Sequence, residues 1–167
     1  MKYLLGEKIK FDWKVVTVTI LSTLLLMVDH YHKLTGFKYW DRVILYLLIP
    51  LAVIMVFFRE NPREYGLTFG DWKLGLTYTA LGILFMAPVI YFLGSGNPSM
   101  KAYYERFLPG LPWTTFLDLI GWEFIFRGWI LFAYVRKFGP EALWLQAVPF
   151  AVAHISKPEI ETLSTIF

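Results

Sequence analysis

The sequence predicts an all-α protein, a polytopic bundle of transmembrane helices with about five complete spans and the start of a sixth. The 167 residues are 57% hydrophobic and only 17% charged, whereas soluble domains average about 45 to 50% apolar and about 25% charged residues. The apolar residues also fall in long runs, because no charge occurs at 15–28, 43–58 or 74–100. Runs of this kind are typical of helices that cross a membrane.

Five helices are expected in order along the chain. The first two apolar runs are short for a span, so each is predicted to extend through its flanks, where Trp13, Lys14, Tyr46 and Arg59 reach the interface. Proline lies inside three of the expected helices, which membrane bundles tolerate. The predicted helices cover residues 13–30, 43–58, 74–94, 113–137 and 141–156, and a sixth begins at the final segment, "ETLSTIF".

Composition also narrows the partners and the compartment. The net charge of +3 is spread over loops without a basic run, which argues against nucleic acid as a partner and predicts a lipid bilayer as the surroundings. With alternating spans, nine Lys and Arg residues fall on the N-terminal side and six on the other, which favours a cytoplasmic N-terminus. A soluble helical protein is the alternative, but five apolar runs leave it little polar face. The chain ends within an apolar run and is expected to be the front part of a longer protein.

The fourth predicted helix carries charges in an otherwise apolar stretch, "GWEFIFRG". Glu123 and Arg127 are four residues apart, which places them on one face and within reach of each other. A charge inside a bilayer costs about 2.5 to 3.5 kcal/mol, so such residues are expected to pair and to face the protein interior. The pair is interpreted either as part of a functional site or as a packing device between helices. Asp118 lies about 140° around the helix from Glu123 and does not join them.

The fifth predicted helix carries one histidine, His154, at the depth of Glu123. The short connection "KFGPEA" predicts antiparallel neighbours, with Gly139 at a helix end. Counted from this turn at about 1.5 Å per residue, both side chains lie about 20 Å along their helices. A carboxylate and an imidazole at one depth could activate water, with Glu123 as the general base. His154 could equally be an ordinary helix-end residue, and Trp122 and Phe150 could exclude water or simply pack.

These residues carry a resemblance to a known family. "WEFIFRG", followed by "PFAVAHISKPEIETLSTIF", resembles the first two motifs of the CPBP intramembrane proteases, which include CAAX prenyl endopeptidases and Abi-like bacteriocin self-immunity proteins. The family's first motif is two glutamates, three residues and an arginine, and Glu123 and Arg127 match its second glutamate and its arginine. The second motif is phenylalanine, three residues and histidine, which Phe150 and His154 match. The resemblance covers about residues 111–167.

The resemblance implies a membrane-embedded hydrolase, an endopeptidase of a prokaryotic cell membrane. It implies catalytic roles for Glu123, Arg127 and His154, with Glu123 and His154 as candidate ligands of a Zn2+ ion, and it leaves open whether metal is used. It divides the chain into N-terminal scaffold helices at 1–110 and a partial catalytic core at 111–167, from which the family's third motif and C-terminal part are absent. The implied substrates are peptides or proteins, such as a prenylated C-terminus or a leader peptide. The 167-residue chain by itself is expected to be inactive.

One departure from the family pattern leaves an alternative open. Trp122 stands where the family has its first glutamate, which is commonly assigned the activation of water. Either Glu123 takes over that task, or the protein is a catalytically inactive membrane immunity or interaction protein on the same scaffold. A transporter path lined by charges is a third hypothesis, which the position of Asp118 disfavours. The remaining polar candidates are His30 and His32, interpreted as interfacial, and Glu159 and Glu161, interpreted as a charged first helical turn in which Glu161 is a secondary ligand candidate.

Overall fold

The structure, a computed structural model, describes residues 3–4, 7–8, 11–155, 157 and 159–165, and of residues 3, 4, 7, 8, 160 and 161 it describes only the backbone. The chain forms two compact units. Unit 1 comprises Met1–Gly66 and Leu117–Phe167, and unit 2 comprises Leu67–Phe116. The predicted division into scaffold helices at 1–110 and a partial catalytic core at 111–167 is a functional one, and the two compact units do not test it.

The described chain is helical apart from a short antiparallel pairing near the N-terminus, in which Tyr3 lies opposite Lys8. The all-α prediction is therefore confirmed. Two of the helices contain stretches of wider, π-type hydrogen bonding, at Val43–Leu48 and Val53–Phe58 in one and at Phe124–Ile130 in the other. The elements are β1 (Tyr3–Leu4), β2 (Glu7–Lys8), α1 (Trp13–Tyr31), α2 (Lys38–Phe58), α3 (Trp72–Ser95), α4 (Pro98–Glu105), α5 (113–138), α6 (Ala142–Ala153) and α7 (Glu159–Ser164).

Three helices in the described part of the chain, and not the five predicted, are long and apolar enough to cross a membrane: α1, α2 and α3. Helix α5 has the length, but Asp118, Glu123 and Arg127 interrupt its apolar sequence. Helix α6 has only 12 residues, or about 18 Å, which is short of a hydrocarbon core about 30 Å thick. The predicted number of complete spans was therefore too high, because α6 is too short to cross a membrane and α5 carries too many charges.

Helix α3, in unit 2, has the strongest membrane pattern. It has 24 residues, none of them buried within the protein. Asp71 caps its first turn by accepting a hydrogen bond from the backbone N–H of Leu74 at 3.1 Å. A helix that is apolar on all sides needs apolar surroundings, which lipid tails supply.

Helix α4, also in unit 2, was not predicted. Its first turn is capped by Asn97, whose side chain accepts a hydrogen bond from Met100 N at 3.2 Å, and Pro98 occupies the first helical position. Both are ordinary helix-start signals, which the surrounding Gly and Ser residues obscured.

The core of unit 1 is centred on Trp129 of α5. Its indole is fully buried and stacks on Phe58 with ring centroids 5.5 Å apart and on Tyr65 with centroids 6.1 Å apart. The indole N–H donates a hydrogen bond to Ser22 Oγ of α1 at 2.9 Å. One side chain thus ties α1, the end of α2 and the following turn to α5, and its polar atom is satisfied.

Two glycines let the backbones in unit 1 approach α5 closely. A Cβ at Gly121 would lie 2.7 Å from the carbonyl oxygen of Arg42 in α2. A Cβ at Gly128 would lie 2.9 Å from the carbonyl oxygen of Tyr65. Small residues at helix contacts are characteristic of membrane bundles, where close backbone packing replaces the hydrophobic effect.

Charged residues at one end of unit 1 form what we call the Glu60 cluster, which consists of Lys14, Glu60, Tyr65 and Arg136. Glu60 pairs with Lys14, accepts a hydrogen bond from the Tyr65 hydroxyl at 2.6 Å and lies 3.1 Å from Arg136 Nη1. Burial would raise the pKa of Glu60, but the hydrogen bonds from Lys14 and Tyr65 outweigh burial and lower it. Burial, and then the bond to Glu60, raise the pKa of the Tyr65 phenol. The cluster joins the start of α1, the segment after α2 and the end of α5.

Candidate functional site

Glu123 and Arg127 form the predicted pair on α5. Arg127 Nε lies 3.6 Å from Glu123 Oε2, and the two side chains are 42% and 58% exposed for Arg127 and Glu123 respectively. The distance makes this an ion pair rather than a hydrogen bond. The π-type stretch Phe124–Ile130 begins directly after Glu123 and includes Arg127. Such stretches widen a helix turn and occur frequently at functional sites.

Arg127 connects the pair to helix α6. Its guanidinium carbon lies 4.0 Å from the ring centroid of Phe150, a cation–π contact. Its Nη1 atom is buried and has no hydrogen-bond partner among the residues that the structure describes. The arginine of the first motif therefore packs on the phenylalanine of the second, and one of its donors points into the protein.

His154 caps the C-terminal end of α6 and is buried, with 6% of its surface exposed. Its Nδ1 lies 2.7 Å from the carbonyl oxygen of Phe150. Because a carbonyl can only accept, Nδ1 carries the hydrogen, and in the neutral ring the lone pair resides on Nε2. The backbone carbonyl thus fixes the orientation of the imidazole ring at the end of α6.

Trp122 provides the contact between α5 and His154. Its ring centroid lies 5.4 Å from that of His154 and 5.3 Å from that of Phe126. At the level of the site, α5 therefore contacts His154 of α6 through Trp122, the residue before Glu123. The neighbouring Glu123 projects elsewhere, since one residue turns a helix by about 100° and its side chain is 58% exposed. The indole, and not the carboxylate, occupies the position against the imidazole.

A second polar group lies on the other side of Trp122, and we call its members Asp29, Lys38, Arg42 and Asp118 the Arg42 cluster. Arg42 Nη1 donates to both carboxylate oxygens of Asp118, at 2.7 and 2.6 Å. Arg42 Nε lies 3.4 Å from Asp29 Oδ2, and Lys38 Nζ lies 2.9 Å from Asp29 Oδ1. The Arg42 guanidinium also sits 4.9 Å from the Trp122 ring centroid. Charges on α1, α2 and α5 thereby neutralise one another.

The sequence did not point to the Arg42 cluster as a unit. Asp29 and Arg42 border two of the charge-free runs, and Asp118 lies off the Glu123 face of its helix. The signal was present, because the end of α1 and the start of α2 adjoin one loop. A carboxylate and a guanidinium on either side of a short loop are candidates for a pair.

The other predicted polar residues whose side chains the structure describes are exposed. His30 and His32 are exposed at the end of α1, and Glu159 is exposed at the start of α7. The side chain of Glu161 lies outside the described residues. In the described part of the chain no three His, Cys, Asp or Glu side chains converge, whereas catalytic zinc normally takes three protein ligands. These residues alone do not fit a catalytic zinc ion.

The comparisons with known proteins were without result. No family of known proteins, no curated protein and no solved structure matches this chain.

Proposed function

We propose that the chain belongs to an integral membrane peptidase of the CPBP kind, which cleaves peptides or proteins with a water activated by Glu123. The observation that best supports this proposal is the contact between the two motifs. Arg127, which matches the arginine of the first motif, packs on Phe150, the phenylalanine of the second, with its guanidinium carbon 4.0 Å from the ring centroid. Residues matched in sequence order to two motifs thus adjoin in one place, as parts of one site would.

In the proposed mechanism Glu123 accepts a proton from water while the water's oxygen attacks the substrate carbonyl. The tetrahedral intermediate then collapses with cleavage of the C–N bond, and the leaving amine takes the proton from Glu123. Arg127, 3.6 Å from the carboxylate, holds Glu123 in orientation. In this mechanism the water is held near His154, whose ring is oriented by the 2.7 Å contact of Nδ1 with the Phe150 carbonyl oxygen. Since the Trp122 indole lies against His154, the reaction requires this indole to move aside.

The proposal is tested by proteolysis with the full-length protein in lipid vesicles, against a prenylated peptide and a leader peptide. Glu123→Gln and His154→Ala are each expected to lower the cleavage rate at least about 100-fold, the usual contribution of a general base. Glu105→Gln, which changes an exposed glutamate on α4, is the matched control and should cleave at the wild-type rate. Cleavage by both site variants at the wild-type rate would show that this mechanism is wrong.

A second candidate function is a non-enzymatic immunity or interaction protein on the same scaffold. The packing of Trp122 on His154 favours it, because an indole fills the place where a second carboxylate would approach water. This candidate predicts that the biological phenotype survives Glu123→Gln but is lost when helix packing is disrupted, for example by Gly121→Leu. The peptidase predicts loss in both variants, so the Glu123→Gln phenotype separates the two functions.

A further inference from the structure

A cavity of about 980 Å3 lies within unit 1 beside the Trp122 indole. Its walls are helices α1 and α6, and Trp122, Ile130 and Tyr134 of α5 form its floor. This volume is at the upper end of what small-molecule sites usually have, about 300 to 1,000 Å3. Neither Glu123 nor Arg127 lines the cavity, so the cavity is distinct from their pair.

Most of the cavity wall is apolar. Leu26 and Met27 of α1 face Val148 and Val152 of α6 across it. Along α1 the lining extends from Thr19 to Tyr31, a length of about 18 Å at 1.5 Å per residue. One leaflet of a bilayer has a hydrocarbon depth of about 15 Å, half of the core. The apolar part of the cavity between α1 and α6, which we call the trench, therefore has the length and the polarity that suit one lipid tail.

One end of the cavity is polar, and there the cations are more exposed than the anion. Lys38, Arg42 and Asp29 line it, but the Lys38 side chain is 40% exposed and that of Asp29 only 7%. Asp118, which neutralises Arg42, does not line the cavity. Two cations and one anion thus line this end of the cavity, and the Lys38 side chain is the most exposed of the three.

Lys38 is the group best placed to receive an anion. An ammonium group has three N–H donors, and among the described residues Lys38 Nζ donates one hydrogen bond, to the backbone oxygen of Asp29, and forms an ion pair with Asp29 Oδ1. A donor therefore remains for a phosphate oxygen, and charge-assisted bonds of this type are among the stronger hydrogen bonds in proteins.

We infer that this cavity binds one anionic membrane lipid, with its phosphate at Lys38 and one acyl tail in the trench between α1 and α6. The inference does not depend on peptidase activity. A soluble anion would leave the apolar wall uncovered. An anionic lipid satisfies both ends of the cavity.

The test is native mass spectrometry of the purified protein from micelles that contain phosphatidylglycerol or phosphatidylcholine. The wild type is expected to retain one phosphatidylglycerol at several times the occupancy of phosphatidylcholine. Lys38→Gln should lower retention of phosphatidylglycerol about tenfold, the loss expected for one hydrogen bond to a charged group. Lys33→Gln, which changes an exposed lysine of the loop before α2 that does not line the cavity, is the control and should leave retention unchanged.

A second pair of variants tests the trench without touching an ion pair. Val148 is 61% exposed and lines the cavity, whereas Leu143 is 60% exposed on the same helix and does not. Val148→Trp should fill the trench and reduce lipid retention, and Leu143→Trp should not. Equal retention of both lipids by the wild type, or equal losses in the two lysine variants, would overturn the inference. A dimer that Val148→Trp dissociates would overturn it too, because the occupant would then be a second chain.

Discussion

Substitution of Gly121 by alanine should separate α2 from α5. The new methyl group would lie 2.7 Å from the Arg42 carbonyl oxygen and 3.0 Å from its carbonyl carbon. Both atoms belong to the backbone, so no side chain can rotate away, and α2 must shift by several tenths of an ångström. Overpacking of this kind costs about 1 to 3 kcal/mol, and the upper value applies where the backbone must move. Alanine returns about 1 kcal/mol through its higher helix propensity.

The expected net loss for Gly121→Ala is therefore about 2 kcal/mol. Gly82→Ala provides the matched control, because a Cβ at Gly82 in α3 would meet nothing within 4 Å. It should be neutral or stabilising by up to about 1 kcal/mol. Both free energies of unfolding are measured by circular dichroism in dodecyl maltoside micelles titrated with dodecyl sulfate. If Gly121→Ala unfolds at the same dodecyl sulfate fraction as Gly82→Ala, then α2 and α5 do not approach as described.

Three further outcomes follow from the polar groups of unit 1. Because the pKa of Glu60 is lowered in the folded protein, its stabilising contribution is present above about pH 4.3, the pKa of a glutamate in the unfolded chain, and is lost as the pH falls through the lower folded pKa. Glu60→Gln should therefore be less stable than the wild type at pH 7 and should lose less stability on acidification. Parallel profiles of stability against pH for the two proteins would contradict this. Arg42→Gln should cost about 2 kcal/mol, less than for a fully buried pair because Arg42 and Asp118 remain partly exposed, and additivity with Asp118→Asn in a double-mutant cycle would refute the coupling. Ser22→Ala should cost about 1 to 3 kcal/mol in the same dodecyl sulfate titration, because it leaves the buried N–H of Trp129 without its acceptor, and an unchanged midpoint would show that this hydrogen bond is not formed.

The positions of the long helices were predictable because charge-free runs and glycines mark them locally. The start of α2 was not, since it begins at Lys38 and the prediction began at residue 43. The charged turn at 38–42 is tied to the preceding loop by Asp41, which accepts hydrogen bonds from the backbone N–H groups of Leu34 and Thr35, at 3.1 and 2.8 Å. Arg42 is also held by Asp118, 76 residues away. No local pattern in the sequence predicts a pairing between residues so far apart along the chain.

The depth of the candidate site was predictable and its direction was not. Counting residues from the turn at Gly139 placed the levels of α5 and α6 together, and the contact between Trp122 and His154 agrees with this. Which residue points at the imidazole depends on rotation about the helix axis, about 100° for each residue. The π-type hydrogen bonding that begins at Phe124 alters that rotation. The catalytic roles of Glu123, Arg127 and His154 stay predictions.

Arg42 pairs with Asp29 of α1 and with Asp118 of α5, and this double pairing constrains the order in which the helices assemble. Asp118 entering a bilayer alone would cost about 2.5 to 3.5 kcal/mol, but its partner Arg42 lies on α2, which is synthesised first. Because Asp29 also holds Arg42, the hairpin of α1 and α2 can form with Arg42 already paired and can then receive Asp118 when α5 packs against it. Biogenesis of this chain is thus expected to proceed from its N-terminus, with the first two helices receiving the charge of a later one.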